Sequence, residues 1–166
     1  MPRVLAVVVV LAITGCAPRP PLPAPPTDVS TLAVAAVDNQ TGSELAISGT
    51  TIVARWIGRK RKTVPDVVRD QARETLRDKG FTVADGGAVP TLKITLRRFD
   101  PDLPQLAYVS VAVSATLADP DGTVRWTLDR PQWVVSTQGA PSMDVAYAQA
   151  AQSVGRTLVE DWQPAH

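Results

Sequence analysis

Residues able to do chemistry are scarce in this chain of 166. It holds one cysteine, Cys16, and one histidine, His166, the final residue. A lone thiol cannot close an intramolecular disulfide. A histidine at a chain end lacks the fixed geometry that proton transfer or metal binding needs. No glycine-rich phosphate loop is present. Carboxylates remain, in Asp100-Pro101-Asp102 and in Asp119-Pro120-Asp121-Gly122. Either pair could hold a cation, and Asp100 and Asp102 with Tyr108 could form the polar cluster of a hydrolase. A calcium loop, however, needs a longer series of oxygen ligands, and Asp, Pro and Gly in this order are turn formers. The sequence therefore predicts no catalytic residue and no metal site.

Two further groups could make contacts. Arg55, Arg59, Lys60, Arg61 and Lys62 form a dense basic stretch in a chain whose formal charge is only +1. Such a stretch could meet lipid headgroups, lipopolysaccharide phosphates or an acidic protein; it could equally be a solvated hairpin tip. The near-neutral balance supplies no global field for nucleic acid. Trp56, Trp126, Trp133 and Trp162 are the second group. Trp126 alternates with Val124 and Leu128, and Trp162 falls on a helical stripe, so both read as core. Trp56 and Trp133 are candidates to line a groove for an apolar or peptide ligand, against the plainer reading as packing.

The amino terminus gives Cys16 its meaning. Arg3 is followed by an apolar run from Val4 to Ile13, too short to span a bilayer and the right length for the hydrophobic region of a signal peptide. Ile13-Thr14-Gly15-Cys16 resembles the lipobox of bacterial lipoproteins. That resemblance implies cleavage before Cys16, a diacylglycerol on its thiol and an acyl chain on the new amino group, with no other cofactor. Ala17 in place of an aspartate implies export to the outer membrane. Residues 17–27 carry prolines at positions 18, 20, 21, 23, 25 and 26, which excludes helix and sheet interior and predicts an extended tether. The expected organisation is a signal peptide over 1–15, a lipidated cysteine and tether over 16–28, and one domain over 29–163.

Within that domain, Thr31 to Val37 reads as a buried strand ending in turn formers from Asp38 to Gly42. Thr50 to Ile57 is a second strand candidate. Thr63 to Lys79 reads as a helix, with Thr63 as cap, Pro65 in the first turn and Gly80 as terminator. Phe81 to Val83 is extended. Leu92, Ile94 and Leu96, and then Val109 through Leu117, alternate with period two, and Asp119 to Gly122 turns the chain into Thr123 to Leu128. Gln132 to Thr137 is a further strand, with Pro131 placing its start at an edge. Ser142 or Asp144 starts a closing helix carrying Met143, Tyr147, Ala150, Val154, Leu158 and Trp162. The elements assemble as an α+β two-layer sandwich, a mostly antiparallel sheet of four to five strands with two helices on one face.

This layout resembles the YajG-like lipoproteins of the Gram-negative outer membrane. The likeness runs through the lipobox at Cys16, the early strand into Asp38-Asn39-Gln40-Thr41, the segment Leu76 to Val83, Pro90-Thr91-Leu92-Lys93-Ile94, the strand from Tyr108 to Leu117 and the alanine-rich last helix. It is also similar to the lipopolysaccharide-assembly lipoprotein LptE, although the start that family shows after its cysteine is missing here, and to auxiliary lipoproteins of lipid-moving ABC transporters. The resemblance implies a non-enzymatic accessory or scaffold, anchored to the membrane by lipid and facing the periplasm, whose partner is an envelope protein or lipid. A lipid-binding carrier with a groove between sheet and helices is the alternative.

Overall fold

The computed structural model describes residues 23–47, 62–103, 105–137 and 139–165. The strand expected over Thr50 to Ile57 lies outside them. The principal sheet has the order β5-β1-β6-β7-β8: β5 (Thr82–Ala84), β1 (Thr31–Val34), β6 (Thr91–Pro101), β7 (Tyr108–Ala118) and β8 (Val124–Ser136). Two-residue β2 (Asp38–Asn39) continues beside β6. A separate ribbon joins β3 (Ala46–Ile47) to β4 (Lys62–Thr63). Helices α1 (Val64–Asp78) and α2 (Met143–Thr157) pack on each other and on one face of the sheet. This is the α+β two-layer sandwich that the alternation of apolar residues predicts. The meander β6-β7-β8 is antiparallel, whereas β1 is parallel to both its neighbours.

The meander follows its hydrophobic period. Leu92, Ile94 and Leu96 point inward, as do Val109, Val111, Val113, Ala115 and Leu117. A bulge between Leu96 and Arg98 shifts the phase of β6 and carries Phe99 into the core as well. A second irregularity, where β8 passes through Arg130, Pro131 and Gln132, merges the two strands expected around Pro131 into one. Proline is tolerated there because β8 is the edge of the sheet, so its missing amide interrupts no ladder. Asp38 and Asn39, read as turn formers, instead form β2, where Gln40 N–H donates to the Leu96 carbonyl.

Helix α1 is closed at both ends by local chemistry. Thr63 Oγ1 accepts from Asp66 N–H, and the Asp66 carboxylate accepts from Thr63 N–H, a reciprocal capping box. At the other end Gly80 takes φ +94°, Gly80 N–H reaches the Arg77 carbonyl and Phe81 N–H the Leu76 carbonyl, the pairing of a Schellman motif. Ser142 caps α2 through Val145 N–H. Its buried side runs through Ala146, Ala150 and Val154, while Met143 and Tyr147 are only partly buried. Trp162 lies beyond the last turn of α2, off the stripe expected for it, but is 2% exposed in the core. A Cβ on Gly155 would collide with the Val68 carbonyl, so glycine is what lets α2 approach α1.

Strand register defines two ends. Residues around 31, 82, 91, 118 and 124 gather at one, together with the chain from Pro23 and the last residues, because Ala165 N–H donates to the Val29 carbonyl. The β6–β7 connection and Ser136 lie at the other, about 36 Å away at ~3.3 Å per strand residue. Helix α1 runs back to the first end, so its own start and the β3–β4 ribbon stand toward the second.

Candidate functional site

Five of the residues singled out in the sequence, Arg55, Trp56, Arg59, Lys60 and Arg61, lie outside the described residues, as does Cys16. Lys62 is described, and it is engaged. Its Nζ donates to Asp70 Oδ2 at 2.7 Å, and Arg69 binds the other oxygen of that carboxylate. Partial burial raises the Asp70 pKa, but the hydrogen bonds from Lys62 and Arg69 outweigh it and hold the carboxyl below its ordinary range. Trp133 is 7% exposed and belongs to the hydrophobic core, with the Arg130 guanidinium 6.0 Å from its ring centre.

Of the two acidic motifs, Asp119 to Gly122 is a turn, whereas Asp100 and Pro101 end strand β6, paired with Ser110 and Val109. Gly122 N–H donates to the Asp119 carbonyl, and Thr123 N–H to Asp121 Oδ1 at 2.8 Å. That bond lowers the Asp121 pKa. Asp102 N–H donates to the Tyr108 carbonyl and Asp102 C=O accepts from Leu106 N–H, which ties the β6–β7 connection together through the backbone. Asp100 pairs with Arg98 at 3.5 Å. Among the described residues no group of three or more His, Cys, Asp or Glu side chains could hold a metal. Tyr147 packs edge-on against Phe99 at 5.6 Å; burial, and then the negative charge of Asp100, push its hydroxyl above its ordinary range.

What the structure does bring together was not foreseen from the sequence. Pro23 and Pro25, read as free tether, form one wall of a cleft of about 230 Å³ whose other sides are Trp126, Leu158 and Trp162, with Asp161 also lining it. The Trp126 indole N–H reaches the Pro23 carbonyl at 3.5 Å, and its ring meets Trp162 edge-on at 5.0 Å. Next to the cleft, Arg125 donates through Nε to both oxygens of Asp119 at 2.6 and 2.7 Å, and through Nη1 to Asp28 at 2.5 Å. One guanidinium thus joins the start of the domain, the β7–β8 turn and strand β8. The proline count of residues 17–27 signals extension, but nothing in it signals where an extended segment will lie.

The second feature is at the opposite end. Leu103 is 64% exposed and Tyr108 41%, both beside the β6–β7 connection, and Val134 on the neighbouring strand is exposed too. No helix among the described residues is long and apolar enough to cross a membrane.

No protein-family model matches the sequence, and no curated protein matches it. Solved structures do match. Protein XCC0632 from Xanthomonas campestris, of the DUF330 family, aligns over 82% of this chain and 85% of its own, with a TM-score of 0.51 and 20% identity. An uncharacterized protein aligns over 82% and 94%, with a TM-score of 0.50 and 14% identity. A minor lipoprotein from Acinetobacter baumannii aligns over 85% and 98%, at 0.35 and 14%. The first two show that this chain shares its fold with solved proteins of diverged sequence.

Proposed function

We propose that this chain is a lipid-anchored protein of the bacterial envelope that works by binding, as a non-enzymatic accessory or scaffold of an assembly or transport complex. The observation that carries the reading is the run Ile13-Thr14-Gly15-Cys16, which follows a charged start and an unbroken apolar segment and contains the chain's sole cysteine. Each methylene buried in a bilayer contributes about 0.8 kcal/mol, and two or more acyl chains anchor a protein stably. Ala17 after the cysteine favours the outer membrane, with the domain in the periplasm, in keeping with the YajG-like pattern. The domain's chemistry supports a binding role: its acidic motifs are engaged in a turn, a strand end and ion pairs, while Leu103 and Tyr108 stand exposed near one end of the sheet.

The test is the state of Cys16. Mass spectrometry of mature protein from cell membranes is expected to show a chain starting at Cys16 and carrying a diacylglycerol and an N-acyl group. A Cys16→Ser variant is expected to leave the membrane fraction while keeping its circular-dichroism spectrum. A free thiol at the start of the mature chain, or a leader still attached, would end the proposal.

A further inference from the structure

We infer that the proline-rich segment is a strut clamped onto the domain, which holds the Trp126–Trp162 end toward the bilayer and the Leu103 end away from it. The inference rests on the lipid anchor proposed at Cys16, and adds to it which surface of the domain the membrane faces.

The clamp has an apolar and an ionic part. Pro23 and Pro25 form one wall of the cleft that Trp126 and Trp162 also line, with the Pro23 carbonyl taking the indole N–H at 3.5 Å. Proline-rich chain suits such a surface because it is already extended and loses little entropy on docking against aromatic rings. Asp28 then pairs with Arg125, which Asp119 grips from the other side. An exposed ion pair alone contributes little, but this one stands beside the docked prolines and just before Val29, whose side chain is buried and whose carbonyl takes Ala165 N–H. Tether and domain are therefore continuous from Pro23 onward.

Reach turns this contact into orientation. If the tether were free up to Val29, the thirteen steps from Cys16 would extend to roughly 40 Å at ~3.1 Å per residue. That matches the long dimension of the sheet, about 36 Å at ~3.3 Å per residue over its eleven-residue strands, so a freely tethered domain could lie flat or turn over. Clamped at Pro23, only seven steps remain, roughly 22 Å. The clamped end is then held within that distance of the bilayer, which is shorter than the sheet, so the domain can no longer turn over and its far end lies on average farther out. Leu103, Tyr108 and Lys62 all belong to that far part of the molecule. A partner using them meets the part of the domain that is on average farther from the bilayer, and the exposed β7–β8 turn at Pro120 belongs to the nearer part.

Energy transfer from the domain to a membrane reads this directly. Lipidated full chain carrying Pro120→Cys or Leu103→Cys would be labelled with a donor fluorophore and reconstituted into phosphatidylethanolamine–phosphatidylglycerol vesicles bearing an acceptor lipid. The acylated Cys16 sulfur does not react with the label. Transfer is expected to be several-fold greater from position 120 than from position 103. A clamp-side triple variant, Pro23→Ser with Pro25→Ser and Asp28→Ser, alters no side chain of the helices or the sheet; it is expected to float with the vesicles as before and to lose most of that difference. Equal transfer from the two positions in the parent overturns the inference, and so does an undiminished difference in the triple variant. Failure of the parent to float with vesicles is a separate outcome: it removes the anchor, and the orientation falls with it.

Discussion

The two ends of the domain differ in what covers their side chains. At the tether end, polar groups and aromatic rings face inward or face each other: Trp126 meets Trp162, Phe81 lies 6.4 Å from Trp162, Arg125 joins Asp28 to Asp119, and Arg73 is paired with Asp85. At the other end apolar side chains face out. Thr137 holds the β6–β7 connection through its hydroxyl on the Leu106 carbonyl and its N–H on the Ala107 carbonyl, and Leu106 takes φ +51°. A left-handed leucine costs on the order of 1–2 kcal/mol. That cost is borne beside Leu103 and Tyr108, whose side chains remain in water. One end is covered by its own chain apart from Val124, which is 57% exposed, and the other leaves Leu103, Tyr108 and Val134 in water.

The strongest way to break this contrast is to remove the aromatic floor of the closed end. Trp162→Ala should destabilise the domain by about 3–5 kcal/mol, the range for deleting a large buried aromatic, because Trp162 is nearly inaccessible and touches both Phe81 and Trp126. Urea unfolding would measure the loss. A single transition at a lower midpoint is expected, since the tether end and the meander share one core. Two separated transitions would mean that the clamped end is a unit of its own.

A smaller effect is expected where the helices cross. At Gly155 an added methyl group would press on the Val68 carbonyl, the Gln71 Cβ at 2.9 Å and the Ala72 amide at 3.2 Å. The first of these is backbone and cannot move aside without shifting a helix. Gly155→Ala should therefore cost about 1–3 kcal/mol, as overpacking does, despite the better helix propensity of alanine. Thermal unfolding would show it as a fall in Tm. No change in Tm would mean that the two helices slide apart freely, leaving the ends less tightly coupled than the shared core implies.

How much of this was readable beforehand depends on where the information resides. Strands β6 and β7, the caps at Thr63, Gly80 and Ser142, and the turn at Asp119 to Gly122 follow from neighbours in sequence, so period and turn chemistry reveal them. The two bulges do not: an alternation read through Leu96 leaves Phe99 on the wrong face, and a proline at 131 looks like a break until the strand is known to be an edge. The parallel placement of β1 is likewise decided by contacts with β5 and β6, roughly 50–60 residues away. The clamp is the extreme case, because Asp28 and Arg125 are 97 residues apart and each looks like an ordinary surface charge alone. The basic stretch was visible as a run of like charge, yet Lys62 is already committed to Asp70, a pairing that no local signal announces.

That pairing gives the mildest test, at the root of the open end. Asp70 is held below its ordinary value of 3.8 by Lys62 and Arg69, so the native state binds its proton less readily than the unfolded chain does. Its contribution to stability is then fully present above about pH 4 and disappears as pH falls through the lowered native value. Asp70→Asn, which leaves Lys62 and Arg69 without that charge, should be modestly less stable than the parent at neutral pH, with the gap closing below pH ~4. Because the site is partly exposed, salt should shrink the gap as well. Paired urea titrations of parent and variant from neutral pH down to about pH 3 would read the convergence. A gap that persisted unchanged at the acid end would show that Asp70 acts through packing rather than charge, and that Lys62 is not fixed to α1 by its ion pair.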